Sequence, residues 1–178
     1  ERSATDVGDP AVDPSDGCGT EPAVTAPEDG AADVPVEIES GGQTRRYRLG
    51  VPASYDPDEP VPLVFNLHGA TSNADQQSAY SGLPAQGTER GSIVVTPDGI
   101  DGQWELTPTG ADDDFLIAVL DEVEAGYCVD RSRVHAAGMS LGAFKTAVTA
   151  CAHDDRFASM ALVTVEVPVE DCAVPVVA

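Results

Sequence analysis

Apolar and polar residues alternate along Val34-Pro35-Val36-Glu37-Ile38-Glu39, and again through Arg45-Arg46-Tyr47-Arg48-Leu49. Two period-2 runs on either side of Gly41-Gly42 predict an antiparallel hairpin. Further on the alternation gives way to nearly continuous apolar runs, Pro62-Leu63-Val64-Phe65-Asn66-Leu67 and Ser92-Ile93-Val94-Val95-Thr96, the second closed by Pro97-Asp98-Gly99. Such runs are expected of strands buried on both faces. Between them a helix is predicted over residues 75–87, weakened by Gly82 and Pro84. A stronger helix spans 112–125: Phe115, Leu116, Val119, Leu120 and Val123 share one face, Asp112, Asp113 and Asp114 can cap its start, and Gly126 can stop it. Next come a strand at 133–138 and a helix at 141–151 that buries Leu141, Phe144, Ala147, Val148 and Cys151. Two more strands are expected at 160–165 and 174–178. Strands alternating with helices make an α/β fold with a mainly parallel sheet between helices.

Residues 1–30 carry Asp, Pro, Gly, Ala and Thr with almost no large apolar side chain. They bury too little to offset ordering entropy and read as a flexible acidic leader before a single folded domain at 31–178. No apolar run reaches the length of a transmembrane segment. The start lacks the charged-then-apolar pattern of a signal peptide, so a secreted form would already be processed. Thirty-one acidic residues against nine basic ones give a net charge of −22, with Lys145 the sole lysine. That balance excludes a nucleic-acid partner, which needs clustered cations. It reads as a solvation strategy, suited to a salt-tolerant or high-GC source. The acids are spread along the chain, which speaks against a metal site. Cys18, Cys128, Cys151 and Cys172 form no CxxC pair, so zinc is not expected, and their even number points to disulfides and export.

Candidate chemistry centres on Gly138-Met139-Ser140-Leu141-Gly142, between a predicted strand and a predicted helix. This is the setting of a nucleophile elbow, in which a strained turn lifts a serine hydroxyl above the sheet. Flanking glycines let backbone pack closely, and the helix N-terminus directs N–H groups and dipole at a developing oxyanion. His68-Gly69-Ala70 ends the first buried strand, where such folds place the second oxyanion donor, so the backbone amides of Ala70 and Leu141 are the candidate pair. His68 reads as a structural residue that shapes the loop. His135 lies within the strand before the elbow and reads as a core histidine. His153 falls at the far end of the following helix, roughly 15 Å from the serine, and reads as a surface loop residue.

Several further pieces carry a resemblance: Gly17-Cys18-Gly19, Arg46-Tyr47-Arg48-Leu49, Pro62 to Gly69, Val94 to Gly99 with Trp104, Val129-Asp130-Arg131-Ser132-Arg133-Val134, the elbow, and Asp155-Arg156-Phe157-Ala158. In this order they resemble the polyhydroxybutyrate-depolymerase and feruloyl-esterase group of secreted α/β-hydrolases. The resemblance implies the α/β-hydrolase fold and a serine esterase acylated at Ser140. The implied substrates are feruloyl or acetyl esters on polysaccharide, or polyesters, with no cofactor. Trp104 resembles a substrate-side aromatic, a core filler being the alternative. Leu141 departs from the Asn usual in that group, a change expected to reshape the pocket more than the backbone donor. The group's acid and base follow the strand at 174–178, so Ser140 would be the sole triad member within these residues. Such a chain is expected to be inactive or nearly so alone, and to expose an apolar sheet edge open to self-association. A non-catalytic binding module that keeps the pocket is the second reading. For the disulfides, Cys128 before the elbow strand and Cys151 at the end of the returning helix should share one edge of the sheet. Cys128–Cys151 with Cys18–Cys172 is therefore the first expectation, and Cys151–Cys172 the alternative.

Overall fold

The computed structural model describes residues 11–28, 30–163 and 172–177. The hairpin forms where the alternation puts it: β1 (Val34–Ser40) pairs antiparallel with β2 (Gln43–Gly50). The chain continues through β3 (Val61–Leu67), α1 (Ala74–Ser81), α2 (Leu83–Glu89), β4 (Ile93–Pro97), a 3-10 turn (Ile100–Gly102), α3 (Ala111–Gly126), β5 (Val129–Met139), α4 (Leu141–Ala152) and β6 (Ser159–Val163). One six-stranded sheet results, in the order β1-β2-β4-β3-β5-β6. Strands β4, β3, β5 and β6 are parallel, and β2 joins antiparallel to β4. This is the mainly parallel, helix-flanked layout of an α/β-hydrolase.

Successive residues of a strand face opposite sides, and β3 shows what covers each. Phe65 and Leu67 meet Leu116 of α3, Thr146 and Ala150 of α4, and Phe157. The Phe65 and Phe157 rings pack edge to face at 5.9 Å. Asn66 turns to the other side, donating to Ser81 Oγ and accepting from Gln77 Nε2, both on α1. The single helix expected at 75–87 is two, because Gly82 takes a left-handed conformation (φ 65°) that ends α1 before Pro84 opens α2.

Four expectations need correction. Residues 13–24 are not a loose leader. Ser15 N–H donates to Val129 O at 2.8 Å, Gly17 N–H to Glu124 O at 2.9 Å, and Val24 N–H to the Tyr127 hydroxyl at 3.2 Å. This arm is fixed by backbone hydrogen bonds and a disulfide, neither of which shows in hydrophobicity; the remainder of the expected leader at 1–10 and 29 lies outside the described residues. The same docking corrects the first disulfide expectation. The arm brings Cys18 onto Cys128, and Cys151 pairs with Cys172, so Cys128–Cys151 and Cys18–Cys172 do not form.

The third correction concerns α4. Of Leu141, Phe144, Ala147, Val148 and Cys151, only Ala147 is fully buried; Gly142, Ala143, Lys145, Thr146, Thr149 and Ala150 face inward with it. Small residues let α4 lie close to the sheet, and the charge of Lys145 is met by Asp113 at 3.3 Å, a partner that periodicity does not reveal. Fourth, the strand expected at 174–178 is reduced to one bridge, Val176 with Met160, and positions 164, 165 and 178 of the two expected strands lie outside the described residues.

Candidate active site

Ser140 is the single residue between β5 and α4, with φ 54° and ψ −120°. A non-glycine residue pays for such angles in steric energy, so the surroundings must impose them. They do. Ser140 N–H donates to Val163 O at 3.0 Å, which ties the elbow to the end of β6. Its carbonyl accepts the first helical bond of α4, from Ala143 N–H at 2.9 Å. The flanking glycines are required by space. A β-carbon on Gly142 would stand 2.5 Å from Leu67 O, and one on Gly138 would stand 2.5 Å from Thr146 Oγ1. The end of β3, the end of β5 and the start of α4 therefore approach backbone to backbone.

The loop after β3 closes over the same point. A β-carbon on Gly69 would lie 3.4 Å from Ser140 Cβ, so the His68-Gly69-Ala70 segment borders the serine. Among the described residues the amides of Ala70 and Leu141 have no hydrogen-bond acceptor. Leu141 opens α4, where the helix dipole adds positive potential. The elbow thus brings together a projecting serine and two candidate donors.

His68 is fully buried, and both ring nitrogens are engaged. Gly99 N–H donates to Nε2 at 2.9 Å, so the proton sits on Nδ1, which faces Gly69 O at 2.7 Å. Burial holds its pKa below the ordinary value of 6.5, keeping the ring neutral. His135 has Nδ1 at 2.9 Å from Ser159 Oγ, and burial, then Arg133, lowers its pKa. His153 caps the far end of α4, but it is not a free surface residue: Nε2 lies 2.8 Å from Asp113 Oδ2. Each described histidine is committed to a partner other than Ser140.

Trp104 is only 5% exposed. Its Nε1–H donates to His68 O at 2.9 Å and its ring lies 4.8 Å from the His68 ring. The indole thus backs the loop after β3, the placement that the core-filler alternative expects. The acids expected to cap α3 are also redirected. Gly110 is the N-cap, without a side-chain cap. Asp112 binds Arg45 at 2.7 Å, and Asp113 accepts from Thr149 Oγ1 at 2.7 Å besides Lys145 and His153. Burial pushes the Asp113 pKa up, but the His153 and Thr149 hydrogen bonds and the Lys145 charge outweigh it, and the carboxyl ends below its ordinary value. These partners are hidden in the sequence, whose periodicity places residues along one element but not against another. Among the described residues no cluster of three His, Cys, Asp or Glu could hold a metal ion, and no helix is long and apolar enough to cross a membrane.

No protein-family model matches the chain. It is similar to feruloyl esterase D of Neurospora crassa, 28% identical over 165 residues that cover 86% of this chain and 54% of that protein. Feruloyl esterase C of Emericella nidulans is 30% identical over 156 residues, 84% of this chain and 53% of the relative. The chain spans about half the length of the curated relatives it matches. Among solved structures, a thermostable esterase superposes with a TM-score of 0.66 at 19% identity, covering 82% of this chain and 45% of its own. An acetyl xylan esterase from Aspergillus awamori gives 0.65 at 19%, covering 72% and 51%. The structural likeness establishes the α/β-hydrolase fold, and the sequence likeness relates the chain to feruloyl-esterase-like serine hydrolases.

Proposed function

We propose that the chain is the nucleophile-bearing part of a secreted serine carboxylic-ester hydrolase. Ser140 attacks the ester carbonyl, a base takes its proton, the alcohol leaves, and water releases the acid from the acyl-enzyme. The backbone amides of Ala70 and Leu141 hold the tetrahedral oxyanion. The observation that carries this reading is the left-handed Ser140, held between Val163 O and the start of α4 beside two amides that have no acceptor among the described residues. With the described histidines bonded elsewhere, we assign the base and its acid to polypeptide outside these residues. Feruloyl or acetyl esters on polysaccharide are the favoured substrates, given the names of the similar proteins, with polyesters next. No cofactor is required by this chemistry. The paired cysteines fit an oxidising, extracellular setting.

Fluorophosphonate labelling, read by mass spectrometry beside Ser140→Ala, tests the proposal. An oxyanion hole without its base still gives some rate over water. The expected result is slow labelling confined to Ser140 and lost in the variant. A folded chain that never labels would overturn the hydrolase reading in favour of a binding module. Rapid labelling would show that a histidine of this chain reaches the serine.

The proposal includes self-association on the β6 side, where Val163, Val176 and Val177 are about half exposed. Sedimentation velocity should show a concentration-dependent increase in size that Val163→Lys suppresses.

A further inference from the structure

Among the described residues three non-glycine positions have positive φ: Thr71 at 61°, Asp101 at 52° and Ser140 at 54°. Ser140 is explained by the elbow. The other two sit in loops that touch each other beside it, since Thr71 N–H donates to Gly102 O at 2.8 Å. Residues Gly69–Ser72 form a turn in which Ser72 N–H donates to Gly69 O at 3.3 Å and the third residue is left-handed, the signature of type II. That third position ordinarily calls for glycine. A β-branched threonine is among the residues least suited to it.

The strained form has a geometric result. In type II the Ala70–Thr71 peptide is turned over relative to type I, and in this orientation the Thr71 N–H meets Gly102 O. Gly102 lies flat against the turn: a β-carbon there would stand 2.8 Å from Ser72 O and 3.3 Å from Thr71 Cα. On the preceding peptide, Gly69 O faces both His68 Nδ1–H at 2.7 Å and Ser72 N–H. A trans peptide directs N–H opposite to C=O, so fixing the Gly69 carbonyl fixes the direction of the Ala70 N–H. Strain tends to persist where a functional geometry needs it.

We infer that Thr71 and Gly102 form a latch that sets the aim of the Ala70 amide. They act as positioning residues, with the 3-10 turn Ile100–Gly102 serving as its fixed half. The inference rests on the esterase reading for its purpose, and on backbone geometry alone for its existence.

Two variants and two readouts test it on the chain as it stands. Gly102→Ala drives the loops apart, whereas Thr71→Gly supplies the residue that a type II turn prefers and keeps the turn. Amide hydrogen exchange by NMR reads the latch directly. The amide of residue 71 should be protected in the parent and in Thr71→Gly, whose thermal midpoint should be no lower than the parent's, and should exchange at least tenfold faster in Gly102→Ala. Ser140 labelling by a fluorophosphonate reads the purpose. Well below its thermal midpoint, Gly102→Ala should show a limiting rate of labelling about tenfold lower with the concentration dependence unchanged. An unprotected Thr71 amide in the parent overturns the latch. A folded Gly102→Ala variant that loses protection at Thr71 yet labels at the parent rate overturns the positioning role. A parent that never labels at Ser140, with Thr71 protected, overturns the esterase reading and the role assigned to the latch within it.

Discussion

The two ends of the parallel sheet are held by different physics. At the end that carries Ser140, strand ends, loop and helix meet backbone to backbone through Gly138, Gly142 and Gly102, and the non-glycine residues of positive φ among the described residues gather there. At the opposite end the ties are covalent and ionic. Cys18 is bonded to Cys128, Arg133 pairs with Asp130 at 2.6 Å, and Arg131 and Arg156 share Glu124. One end is arranged for position and tolerates strain; the other anchors an arm that has few apolar contacts of its own. Changes at the anchoring end should therefore cost stability without touching the serine, and changes at the elbow should do the reverse.

The largest expected effect is on the anchoring side. The Cys18–Cys128 bridge closes a loop of sequence separation 110. Replacing both residues by alanine should cost about 2–5 kcal/mol in denaturant unfolding. Below the transition, Ser140 labelling should continue at the parent rate. A labelling loss as large as the stability loss would mean that the two ends are coupled, and the contrast would fail.

Gly142→Ala sharpens the contrast from the other side. Its β-carbon would meet Leu67 O at 2.5 Å, so α4 must retreat from the end of β3. Overpacking of this kind costs about 1–3 kcal/mol. Labelling of Ser140 should be lost in protein that is still folded by circular dichroism, because the Leu141 amide moves with the helix. Retained labelling would show that the elbow has room that the backbone contacts deny.

How much of this was legible beforehand differs between the two ends. Each strand of β1–β6 announces itself through period-2 or continuous apolar runs, and Gly138-Met139-Ser140-Leu141-Gly142 marks the elbow because its chemistry needs small residues at fixed offsets. The anchoring end was misread for the same reason in reverse. Nothing about residues 13–24 signals burial, since they dock by backbone hydrogen bonds that any sequence can make. The pairing of Cys18 followed from that docking and from nothing local. Lys145 and Asp113 are 32 residues apart in sequence, and neither is apolar, so no periodicity of α4 could foretell that its inward face is polar. Thr71 gave no signal at all, because a threonine in a left-handed turn is what propensity argues against.

The smallest expected effect is the response to pH, and it separates the two ends once more. His68 and His135 both have pKa values lowered by burial from the ordinary 6.5. For a histidine held neutral in the fold, the unfolded chain binds the extra proton first, so stability falls as pH drops below about 6.5 and levels off once the folded pKa is passed. In that window His68 is the group that matters to the site. Protonated Nε2 would confront the Gly99 N–H with a second donor, and the loop carrying Ala70 would have to open. The carboxylates Asp113 and Asp130 have pKa values below the ordinary 3.8, so their contribution is present above that value and is lost only as pH falls through their folded pKa. Asp130 holds the arm through Asp13 N–H and β5 through Arg133. Two steps should therefore appear on acidification. Below about pH 6.5 the thermal midpoint should fall shallowly, and Ser140 labelling should decline as the pH passes through the lowered pKa of His68. Below about pH 4 a steeper loss should follow as the arm is released. A His68→Asn variant, whose side chain does not titrate, should keep its Ser140 labelling through the first step and retain only the stability loss that comes from His135. If its labelling declined as in the parent, protonation of His68 would have no part in holding the loop.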